Sequence, residues 1–85
     1  MALYLCDLPY GKTGLEIAKR DKDAKIVLIK DGVYLNTEGI DAEIYAMDDD
    51  VEKRGLIHRM RGKAELIDYN TLVDLALENK VVNFA

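Results

Sequence analysis

The one thiol of the chain, Cys6, closes an apolar run from Ala2, and cysteine is the residue type able to carry sulfur as a persulfide. Asp7 beside it would raise its pKa, whereas the start of a helix after Pro9-Tyr10-Gly11 would lower it, so both a reactive and a buried thiol stay open. Cysteine is also among the most buried residue types and often acts as a small hydrophobe. Gly11-Lys12-Thr13 sits where a phosphate-binding loop would, but the full pattern needs glycine at the position of Cys6. A lysine in a turn and a threonine cap account for the tripeptide. His58 is the sole histidine and the chain has no serine, which removes a serine triad. One cysteine and one histidine give no zinc spacing and no internal disulfide, and no motif calls for a cofactor.

Two charged groups remain. Asp48, Asp49 and Asp50 are consecutive, so on a helix they do not face one another, and capping of a helix explains them better than acid–base chemistry. Lys53, Arg54, His58, Arg59, Arg61 and Lys63 form a basic cluster in a chain of net charge −4. It could receive an acidic partner or an RNA backbone, but no aromatic residue is interleaved for stacking. The reading is a solvated loop, and direct nucleic-acid binding is not expected.

Five apolar segments must position these residues. Ala2 to Cys6 predicts the first strand, followed by a short helix to about Arg20 whose capping box is Thr13 with Glu16. On it, Leu15 and Ala18 share a narrow apolar stripe. Lys25-Ile-Val-Leu-Ile-Lys30 is the clearest strand, apolar on both faces and ended by Asp31-Gly32. A brief helical or irregular connection at Val33-Tyr34-Leu35 leads to a third strand over Ala42 to Met47. Asp48 to Lys53 then has the charge order of a short helix, acidic first and basic last, ending near Gly55. A fourth strand over Ala64 to Asp68 precedes the best helix, Leu72 to Asn79, and Val81 to Ala85 predicts a fifth strand. Alternation of this kind gives an α/β fold, three-layer α/β/α, with a mostly parallel sheet of four to five strands.

Eighty-five residues allow one domain, 1–85, with 49% hydrophobic content. A chain this short buries only ~60–65% of its unfolded surface, and the predicted helices cover two sheet faces thinly, so apolar surface should remain for another subunit. The longest apolar run, Met1 to Cys6, falls far below the ~18 residues that span a bilayer and lacks the charged start of a signal peptide. A soluble, unexported protein of a reducing cytoplasm is expected.

Four stretches together carry a resemblance: KIVLIKDGVY (Lys25 to Tyr34), IYAMDDDVEKRGL (Ile44 to Leu56), IDYNTLVDLALEN (Ile67 to Asn79) and the terminal VVNFA. Their order and spacing resemble the TusB/DsrH family of sulfur-relay proteins, with the N-terminal twenty residues the least similar. The resemblance implies a small cytoplasmic α/β/α subunit that assembles with TusC/DsrF-like and TusD/DsrE-like subunits. Such complexes pass sulfur as cysteine persulfide to a TusE/DsrC-like carrier, for tRNA 2-thiouridine formation or sulfur oxidation. Some family members carry a cysteine on the first helix; that place falls near Glu16 here, and Cys6 is not its equivalent. The expectation is therefore a noncatalytic subunit, with Asp31, Gly32, Tyr34, Arg54 and Gly55 as interface candidates. Two rival expectations are a sulfurtransferase using Cys6 and a self-associating binding module.

Overall fold

The computed structural model describes all residues, Met1–Ala85. Five strands form one sheet: β1 (Ala2–Cys6), β2 (Lys25–Leu28), β3 (Glu43–Met47), β4 (Glu65–Ile67) and β5 (Lys80–Phe84). They lie in the order β4-β3-β2-β1-β5, every neighbouring pair parallel. Four helices connect them: α1 (Gly11–Ala18), α2 (Asp48–Lys53), α3 (Ile57–Met60) and α4 (Tyr69–Glu78), with a 3-10 turn over Lys30–Tyr34. The expected three-layer α/β/α arrangement is the one observed, and the sheet is parallel throughout rather than mostly so.

Parallel pairing forces the sheet to be covered on both faces, and the alternation of side chains divides the core accordingly. On one face Tyr4, Cys6, Ile26, Leu28 and Ala46 pack under Leu15 and Ala18 of α1, Val33, Val51 of α2 and Met60 of α3. On the other, Leu3, Val27 and Ile67 are covered by Leu72, Leu75 and Ala76 of α4 alone. The central strand β2 is buried on both sides, as its unbroken apolar run predicts.

Several local expectations need correction. The Thr13–Glu16 capping box does not form: α1 begins earlier, at Gly11, with Tyr10 at the cap position and no side-chain cap. Gly11 starts the helix because it must lie against Cys6 and Leu35, where a Cβ would be 3.3 Å from the Cys6 backbone carbon and 2.7 Å from Leu35 Cδ1. Nor does any of the three aspartates cap α2 through its side chain, since Met47 holds that position. The charge order of α2 is as read. The segment expected as a solvated loop contains α3, which forms because Met60 inserts into the core beside Val51. The strongest helix pattern, α4, contains no fully buried residue; its Asp68 cap accepts from the Thr71 amide at 2.8 Å.

Candidate functional site

Cys6 and Leu28 end β1 and β2 side by side, at the carboxyl edge where open α/β sheets gather ligands. The 3-10 turn then folds back over the end of β1. The Ile29 amide donates to the Cys6 carbonyl at 3.0 Å, and the Gly32 amide donates to the Ile29 carbonyl at 2.8 Å and to Asp7 Oδ1 at 3.1 Å. Only glycine fits at position 32, because a Cβ there would overlap the Cys6 carbonyl oxygen and lie 2.8 Å from its carbon.

The thiol itself lies in the core on the α1 side of the sheet. Cys6 has no exposed surface, its Sγ faces the Tyr4 carbonyl at 4.0 Å, and burial pushes its pKa up to about 11 from an ordinary 9.0. Neither influence read from the sequence governs it: the cause is desolvation by burial, in a core cluster that includes Leu15, Ala18, Leu28 and Val33. At neutral pH the group is a protonated thiol, a poor nucleophile.

Around it the carboxyl edge is tied together by ionic groups. Arg54 donates through Nε and Nη2 to Asp31 Oδ1 at 3.0 and 2.9 Å, and through Nη1 to the Asp50 carbonyl at 3.1 Å. Asp50 Oδ1 lies 3.6 Å from the same guanidinium, while its Oδ2 accepts from the Lys30 amide at 2.8 Å. Lys30 holds φ of +49°, an unusual conformation for a side-chain-bearing residue, and the Asp50 bond secures it. Asp7 is a second fastening: its carboxylate also accepts from Leu8, and its backbone amide donates to Phe84 at 3.1 Å.

Of the interface candidates, Asp31, Gly32 and Arg54 thus meet in one construction, with Gly32 buried beneath and Asp31 exposed. Tyr34 is exposed at the end of the same turn and lines an open cleft of about 430 Å³ with Lys12, Glu16, Lys19 and Leu35. Glu16, the place of the first-helix cysteine in the resemblance, therefore faces this cleft. Gly55 ends α2 with φ of +66° and open space around it, so its role there is conformational.

Lys53, His58, Arg59, Arg61 and Lys63 are exposed, and of the basic cluster only Arg54 is ion-paired. No three His, Cys, Asp or Glu side chains converge where a metal could sit. The roles of Asp7 and Asp50 were invisible in the sequence, because their partners lie 25 and 20 residues away. The Lys-Asp-Gly after an apolar strand was the available signal that a tight turn forms there.

Comparison with known proteins bears on what this edge serves. The family model described as DsrH like protein matches residues 12–82. Among curated proteins, Protein TusB of Photorhabdus laumondii is 33% identical over 63 residues, covering 64% of this chain and 66% of that protein's length.

Proposed function

The chain belongs to the DsrH-like family, and on that premise we propose that it is a noncatalytic subunit of a cytoplasmic sulfur-relay complex. It supports persulfide transfer between other subunits, as in tRNA 2-thiouridine synthesis or sulfur oxidation, without carrying sulfur itself. One observation supports this reading above the rest: the only thiol is fully buried with its pKa raised to about 11, and the helix position facing the cleft holds Glu16. A sulfur acceptor needs a thiolate that a donor can reach.

The subunit's contribution is then shape. Asp31, Gly32, Tyr34, Arg54 and Gly55, of which Arg54 and Asp31 are ion-paired and Gly32 is fastened to Asp7, offer the surface against which TusC/DsrF-like and TusD/DsrE-like subunits, and through them a TusE/DsrC-like carrier, would dock. No helix is long and apolar enough to cross a membrane, which is compatible with this role.

The test is to incubate the protein with a cysteine desulfurase and a sulfur donor and to weigh it intact. No added sulfur, together with co-purification with sister subunits, is expected. One added sulfur atom lost in Cys6→Ser would instead establish the sulfurtransferase reading.

A further inference from the structure

The basic run over residues 53–63 divides in the fold. Arg59 of α3 and Lys63, four residues on, both line one small cavity, whereas Lys53 stands with Asp49 and Glu52, and His58 and Arg61 line no cavity. That cavity lies between the end of β2, the segment leaving the 3-10 turn and the turn after α3. Its floor is apolar and made of core residues, Leu28, Val33 and Met60 among them. Its rim is polar: Arg59, Lys63 and Asn36 are exposed and Thr37 is half-buried. The volume is about 30 Å³, room for about two waters.

The charge on this rim has one sign. No Asp or Glu lines the cavity; Glu38, next to Thr37, lines the open grooves on either side of it. Glu65, two residues past Lys63, stands in register with Tyr45, which packs on the α4 face of the sheet. Arg59 and Lys63 belong to none of the chain's ion pairs. The rim also holds unused donors. Asn36 Oδ1 accepts from the Glu38 amide at 3.0 Å, which leaves the side-chain NH2 of Asn36 to donate elsewhere. The backbone amides of Asn36 and Thr37 donate to no carbonyl of the chain.

We infer that this cavity binds a tetrahedral oxyanion, sulfate or phosphate, with Arg59 and Lys63 as counter-charges and Asn36 and Thr37 as donors. Two cations, a hydroxyl and several N–H groups, all lacking an acceptor within the chain, call for a ligand that is anionic and rich in oxygens. A guanidinium grips such an ion through two parallel N–H bonds, and an ammonium adds a point charge. The apolar floor lowers the local dielectric, so both attractions exceed those of the same side chains in open water. Chloride offers the guanidinium fork no second acceptor. The small volume admits the head of the ion alone, so the remainder of a phosphate ester would lie in the adjoining groove. None of Asp31, Gly32, Tyr34, Arg54 and Gly55 takes part, and the inference stands or falls apart from the sulfur-relay reading.

The test is an NMR titration of the full chain with sodium phosphate and with sodium sulfate, against sodium chloride at matched ionic strength and pH. Both oxyanions should give saturable shifts of the backbone amides of residues 35–37 and 59–64, and chloride should give none. Arg59→Gln and Lys63→Gln should each weaken binding about tenfold or more, because each removes a charge-assisted hydrogen bond. Arg61→Gln removes the same charge from a neighbouring exposed position that lines no cavity, and should change the affinity less than about twofold in screening salt. All three positions are exposed, so the fold survives the substitutions. Glycerol 3-phosphate separates the two sources of the same chemistry: tighter binding than phosphate identifies an ester as the ligand, weaker binding the free ion. Shifts that chloride reproduces, shifts that never saturate, or an affinity lost equally in Arg61→Gln and Arg59→Gln overturn the inference.

Discussion

Removing the thiol while raising the pH tests the central physical claim, that Cys6 is held protonated by burial. Its folded pKa is about 11 against an ordinary 9.0, so the native state keeps the proton over a pH range where the unfolded chain has lost it. The sign follows directly. The stabilisation is complete below pH 9 and is lost as the pH rises through 11. At pH 10 the loss is roughly 1.4 kcal/mol, and it approaches about 2.7 kcal/mol above both values. Urea unfolding of wild type and Cys6→Ala at pH 8, 9 and 10 isolates this contribution. Tyr4, whose pKa is also raised by burial and by Asp21, is common to both proteins and cancels in the difference. The gap between them should shrink by roughly 1.4 kcal/mol from pH 8 to 10. Kinetics give a second reading: at pH 7.5 the thiolate fraction is about 0.03% rather than about 3%, so alkylation of the native protein should run at least a hundredfold slower than in urea. Parallel stability curves, or equal labelling rates in the native and unfolded states, would refute burial as the controlling influence and reopen Cys6 as a sulfur acceptor.

Other consequences can be measured on the same protein. Gly32→Ala should cost about 3 kcal/mol and lower Tm by about 12–24 °C, because the intruding Cβ meets backbone that cannot yield; Gly39→Ala, at φ of +80° with nothing within 4 Å, should cost only about 1–2 kcal/mol. Equal losses at the two sites would sink the steric account. Arg54→Ala should cost about 1–2 kcal/mol in urea unfolding, above a typical surface pair, since its guanidinium joins the 3-10 turn to α2. Arg54→Lys should recover only part, lacking the forked geometry. The Asp68 carboxyl, accepting from the Thr71 amide, should titrate below its ordinary 3.8 by NMR, so its stabilisation is present above that pH and fades as the pH falls below it. Asp68→Ala should lower both helicity and Tm, and an Asp68 pKa above 3.8 would contradict the cap.

The path from sequence to architecture was short for β2 and the order of elements. Four residues apolar on both faces can only be central in a parallel sheet, and Asp31-Gly32 stops them. The match to the DsrH-like family spans residues 12–82, which include these segments. Local capping was less legible. Thr13 and Glu16 have the right spacing, yet α1 starts at Gly11 because tertiary packing against Cys6 fixes where the chain must turn. The helix with the clearest periodicity, α4, proved the least buried, since period reports which side is apolar and not how much of that side finds a cover.

Amino-acid order alone determined the alternation of strands and helices, the parallel α/β class, the family and the absence of a serine triad or zinc spacing. It could not decide the fate of Cys6. A thiol beside an aspartate and ahead of a helix reads equally as activated or inert until the fold buries it in a core drawn from α1, the 3-10 turn, α2 and α3, with Leu15, Val33, Val51 and Met60 in the same cluster. Burial is a collective property of segments brought together from a distance, whereas patterning is local. Hence the sequence specified which elements form, and tertiary packing chose which of their chemical groups water and partners can reach.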